Sequence, residues 1–157
     1  MAGVVAVVAV LALGAGCGDD GPSRAQFARE ADAICTPALV RLRTVAARID
    51  AAAAGADPDA IFGRSADLLR EGAAISRASF DAIDVLDAPA ADGDAVGAWV
   101  GSNRRPAALT AQLAAAFEVQ DEMRIAELSE RIDVLEERNN AAARRLGLRS
   151  CAERVLR

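Results

Sequence analysis

The sequence predicts an all-α protein, an up-down-up-down four-helix bundle with kinks at Pro37 and Pro106. Three observations carry that expectation. Short breaks rich in Gly, Pro and Asp divide the chain beyond residue 23 into four segments of roughly 24–31 residues. Apolar residues inside the segments recur in alternating steps of three and four, the period of a half-buried helix. Capping residues stand where three of the four segments begin.

The first helix follows the linker "GDDGPS". Ser23 with Gln26 three residues later forms a capping-box pattern, and Phe27 lies one position further. From Cys35 the apolar stripe is Cys35, Ala38, Leu42, Val45, Ile49 and Ala52. Pro37, which lacks an N–H, is expected to kink or interrupt it, and Gly55 supplies a C-cap. Asp57–Pro58 then reads as an N-cap followed by Pro at the first helical position. The second helix carries Ile61, Leu68, Gly72, Ile75, Ser79, Ala82 and Leu86, its face widened by Phe62, Leu69, Phe80 and Ile83. After "DAPAADGD" a third helix runs from about Ala95 to Glu118 through Val96, Trp99, Val100, Leu109, Leu113 and Phe117, bent at Pro106. Asp121 caps the fourth, whose stripe is Ile125, Leu128, Ile132, Leu135, Asn139, Ala142 and Leu146. Arg144 and Arg145 suit its C-terminal dipole, Gly147 ends it, and Ser150 with Glu153 caps a final turn.

Composition narrows function by exclusion. The chain has 157 residues, which favours one domain, and a net charge of −5, which gives no basic footprint for nucleic acid. It contains no His. That removes Ser/His and Cys/His nucleophile pairs, the Glu-x-x-His di-iron motif and the His-containing zinc patterns. "GAAIS" and "VGAWVG" sit inside helical periodicity and lack a phosphate-cradle pattern. No cofactor and no metal site is expected.

Residues 4–13, "VVAVVAVLAL", are an unbroken apolar run ending in "GAGC". The run is too short to cross a bilayer core and matches the apolar stretch of a signal peptide. "LALGAGC" resembles the lipobox of bacterial lipoproteins. That resemblance implies a signal peptide over 1–16 and lipidation of Cys17. A lipid-anchored linker would follow over 17–23, with the bundle domain over 24–157. A cleaved signal without lipid and an uncleaved membrane anchor are the alternatives.

Three cysteines are present, Cys17, Cys35 and Cys151, and an odd count in an exported chain leaves one over. If Cys17 carries lipid, Cys35–Cys151 is the only intrachain disulfide available. Two reduced thiols or an intermolecular bridge are the competing readings. An up-down-up-down bundle starts its first helix and ends its fourth at the same end. Both cysteines then share one half of the molecule, provided the chain turns back at Gly147.

"FAREADAIC" near the start of the domain and "NNAAARRLGLRSC" near its end resemble the two ends of small actinobacterial-type exported helical lipoproteins of unassigned function. The resemblance implies the same fold and transfers no catalytic residue.

The remaining candidates each have a structural and a functional reading. Asn139, on the seam of the fourth helix, either binds a ligand in an interior polar site or fixes register. Glu136–Glu137 and Asp81/Asp84 offer carboxylates but fit solvated helix faces. Arg104–Arg105 either hold an anion or lipid headgroup, or flank a kink. Trp99 is either an exposed anchor for a partner or core. The expectation is a non-enzymatic, lipid-anchored bundle on the extracytoplasmic face of the cell membrane that binds an envelope protein partner or acts as a scaffold. The alternative is a small-ligand or metal-binding bundle, with Gly72, Ser79, Asn139 and facing alanines leaving an interior pocket.

Overall fold

The computed structural model describes residues 21–54 and 58–155. The expected signal peptide, Cys17 and the first part of the linker lie outside the described residues, as do Gly55 and Asp57. Four helices form: α1 (Arg24–Ala53), α2 (Pro58–Asp84), α3 (Gly93–Glu118) and α4 (Glu122–Arg145). A short 3-10 helix, Ser150–Ala152, follows. The protein is all-α, with no strand among the described residues.

The helix ends follow local chemistry. Ser23 Oγ accepts from the Gln26 N–H at 3.2 Å. The Gln26 side chain turns forward to Glu30 at 3.0 Å instead of back to Ser23, so only half of the capping box forms. Asp121 Oδ1 accepts from the Arg124 N–H at 3.0 Å and starts α4. Gly147, at φ +84°, ends the α4 segment. Around it the Leu148 N–H reaches the Ala143 carbonyl at 3.0 Å and the Gly147 N–H reaches Arg144 at 3.1 Å. This is a Schellman motif, and it reverses the chain so that residues 148–155 run back across the bundle. Both α1 and α3 continue through their prolines.

Each helix packs against the next in sequence, α1 on α2, α2 on α3 and α3 on α4; among the described residues α1 and α4 make no such close approach, with no Cα pair within 8 Å. The returning C-terminal segment fills that gap at one end, touching both α1 and α4. It acts as a strap. Cys35 and Cys151 are joined by a disulfide with their Cα atoms 5.1 Å apart. The Asp32 carboxylate, three residues before Cys35, accepts the N–H of Arg149 at 2.9 Å and that of Cys151 at 3.1 Å. Arg43–Glu153, at 2.7 Å, adds an exposed ion pair further along.

The core reflects this asymmetry. At the strap end all four helices contribute to one cluster built on Phe27, Ile83, Trp99, Val100, Leu146 and Leu148. In the other half the core divides. Ala38, Val45, Leu68 and Ile75 pack between α1 and α2. Leu109, Leu113, Leu128 and Ile132 pack between α3 and α4.

Candidate functional site

A cleft runs where the core divides, along the open seam between α1 and α4. Its larger part, about 350 Å³, is walled by Leu42, Val45 and Ile49 of α1 and by Ile132 of α4, over a floor that includes Leu68 and Gly72. A smaller part of about 110 Å³ continues beneath the strap, past Ser79, Pro106 and the disulfide. Leu42, Ser76, Thr110, Glu136 and Val155 line both parts and join them. Gly72 keeps the floor low: a Cβ there would meet Leu42 Cδ2 at 3.7 Å and Val45 Cγ1 at 3.8 Å, ordinary contacts that a larger side chain would exceed.

The charge in this cleft is carboxylate. Asp50, Asp133 and Glu136 line its larger part and Glu153 its smaller part, with no arginine in either lining; Glu153 is paired with Arg43, and the other three are in no ion pair among the described residues. Burial pushes the Glu136 carboxyl above its ordinary value; Asp133 adds to the rise and Arg154 opposes it. Arg154 is 3.6 Å from Glu137 on the outer side. A carboxyl with a raised folded-state pKa weakens the fold as it ionises: the protein is relieved of the charge below the unfolded pKa and carries the penalty above the folded one. Glu136→Gln is therefore expected to raise the melting temperature at neutral pH. The gain should shrink on acidification and vanish below the ordinary glutamate value of 4.5. Thermal scans of both proteins across that range check the sign.

Asn139, expected as an interior polar site, is buried at 3% exposure but lies between α3 and α4, outside this cleft. Its amide is engaged. Oδ1 is 2.8 Å from the Ser102 hydroxyl, and Nδ2 donates to the Ser102 carbonyl at 3.3 Å. That carbonyl is the one Pro106, four residues on, cannot bond, because it has no N–H. Asn139 thus closes a gap left by a buried proline. Pro37 lies exposed, so the Ala33 carbonyl released there sits on a solvent-facing part of α1. Asn139→Ala is expected to cost about 1–3 kcal/mol, by orphaning buried polar groups. In a Pro106→Ala background the restored N–H bonds Ser102, and the same substitution should cost less. A double-mutant cycle by denaturant titration measures that coupling.

The other candidates are dispersed. Arg104 bridges α3 to α2, with Asp84 at 2.8 Å and Asp81 at 3.2 Å, so these carboxylates already have a cation. Arg105 joins Arg138 and Arg145 around a shallow hollow of about 640 Å³ on the α3–α4 face. Trp99 is core, at 2% exposure. Gly72 and Ser79 do line the cleft system, Gly72 in its larger part and Ser79 in its smaller. No group of three or more Cys, Asp and Glu side chains among the described residues is placed to hold a metal ion. No described helix is long and apolar enough to cross a membrane.

Sequence reasoning missed Asp32 and underrated Glu136. Asp32 is three residues before Cys35, hence on the same helical face as the disulfide. Glu136 is four residues after Ile132, on the shoulder of the α4 stripe. Those spacings were the available signals.

The molecule is a disulfide-strapped four-helix bundle whose first and last helices are splayed around an apolar, acid-marked cleft. Comparison with protein families, with curated proteins and with solved structures finds no match to this chain.

Proposed function

We propose that the chain is an exported lipoprotein whose bundle serves, without catalysis, as a binding or scaffold module for an envelope partner on the extracytoplasmic face of the cell membrane. The observation that carries this reading is the Cys35–Cys151 disulfide. Structural disulfides belong to oxidising compartments. This one uses two of the three cysteines and leaves Cys17, behind "LALGAG", as the odd one for lipid. The described chain begins α1 at Arg24, beside α3, where Arg24 pairs with Asp92. A tether from Cys17 would therefore place the strap end of the bundle toward the membrane.

Cys17→Ser is expected to move the protein from the membrane fraction to the soluble or secreted fraction. Retention in the membrane would overturn lipid anchoring and favour an uncleaved anchor.

The cleft favours a second reading, that the bundle binds a small ligand. Its larger part lies in the size range of ordinary ligand pockets and is mostly apolar with a few convergent polar groups. The two readings are compatible: a tethered bundle can hold a ligand in its open half and meet a partner on its helical faces.

A further inference from the structure

We infer that the α1–α4 cleft binds a lipophilic organic cation, its apolar body lying between Leu42 and Ile49 of α1 and Ile132 of α4, its charged head at Glu136. This assignment rests on the small-ligand reading above and adds the chemical class.

Three independent features converge on it. The first is shape. α1 and α4 diverge with no helix between them, and the two apolar clusters on either side are separated by the cleft. Gly72 on α2 and Ser76 one turn on leave its floor unfilled where Leu or Ile would have closed it. The second is charge. Asp50, Asp133 and Glu136 give the walls one sign, and the arginines that neutralise carboxylates elsewhere on this surface do not line the cleft. An anionic ligand such as a fatty acid would meet like charge from both the α1 and the α4 wall, whereas a cation would meet acceptors there. The third is the position of Glu136. It lines both the wide part and the narrower part beneath the strap, at the junction where a head group would stop. It is half-buried beside Leu42, Ser76, Thr110 and Val155, with Asp133 adding like charge and Arg154 opposing it. A half-buried carboxylate without a direct ion pair is destabilising when ionised and is stabilised by a bound counter-charge.

Three probes with the same ten-carbon body separate charge from hydrophobicity: decylammonium, decanol and decanoate. Each is titrated calorimetrically into the purified protein below its aggregation concentration at neutral pH. Decylammonium should bind about tenfold more tightly than decanol, the effect of one partly buried charge pair, and decanoate most weakly. Glu136→Gln conserves volume and should abolish the preference for the cation while leaving decanol unchanged. Ser76→Leu, which plugs the junction of the two cavities, should weaken all three probes. Equal binding of the three, or a cation preference that survives Glu136→Gln, overturns the charge assignment and leaves the small-ligand reading standing. Binding that Ser76→Leu does not touch lies elsewhere on the molecule and also overturns the assignment. Absence of binding by every probe overturns both.

Discussion

Replacing Cys35 and Cys151 together by alanine should lower the stability of the protein by about 4–5 kcal/mol. The bridge spans 116 positions in sequence, so it ties nearly the whole described chain into one loop in the unfolded state. The chain-entropy account assigns most of its contribution to that loop, and domains of this size are stable by only about 5–15 kcal/mol in all. The native side adds to the effect. Without the bridge, the strap is held by Asp32, through its bonds to the Arg149 and Cys151 N–H groups, by the Thr36–Ser150 hydrogen bond, by the exposed Arg43–Glu153 pair, and by Leu148 and Ala152 in the strap-end core. Exposed pairs contribute little. Since the strap lies against both α1 and α4 at the end where their backbones do not approach closely, fraying it opens the seam from its closed end. Guanidinium unfolding of the oxidised protein and of the double variant checks this. The midpoint should fall, and the slope should rise because the unbridged chain exposes more surface on unfolding. A loss below 1 kcal/mol would mean that Asp32, the Schellman turn and the burial of Leu148 hold the strap without the bridge.

The strap also marks where sequence reasoning succeeds. The stripes of α1 and α4, the Asp121 cap and the stop at Gly147 follow from local chemistry, so spacing and residue type reveal them. The pairing of Cys35 with Cys151 follows once the topology is granted. The cleft is different in kind. Leu42, Ile49 and Ile132 carry the same periodic signature as residues that pack fully, and a stripe does not tell whether its partner helix arrives. That depends on how all four helices pack together, not on either stripe alone. Asn139 shows the same limit. Its place on the α4 seam is legible, and so is Pro106 in α3. That one repairs the carbonyl the other leaves depends on the register between two helices 37 residues apart in sequence at the Ser102–Asn139 bond. Glu136 is legible as a shoulder position only, because its raised pKa comes from burial in the folded bundle, with Asp133 adding to it and Arg154 opposing it.

Trp99→Ala should cost about 3–5 kcal/mol, the range for truncating a large aromatic in a packed core. Trp99 is 2% exposed at the centre of the strap-end cluster, with its ring edge-on to Phe80 at a centroid distance of 5.5 Å. It is the only tryptophan, so its fluorescence reports burial directly: a blue-shifted native emission that moves red on unfolding. Its Nε1 is buried and has no hydrogen-bond partner among the described residues. An unpaired buried donor is destabilising, so part of what the indole gains by packing is offset by its own N–H. Trp99→Phe removes that donor and some volume while keeping an aromatic edge on Phe80, and should cost less than half as much as Trp99→Ala. If the two substitutions cost the same, the N–H penalty is not being relieved and cavity volume alone governs the site. The comparison with the other half of the molecule is as informative. Leu42 is only half-buried because one side of it faces the cleft. Leu42→Ala should therefore fall at the low end of core truncations, about 2 kcal/mol or less, since fewer contacts are lost and little new cavity is made. A steep gradient from Trp99 to Leu42 is what a bundle closed at the strap and open along its seam requires. Equal losses would mean that α1 and α4 close together in solution and the cleft is filled.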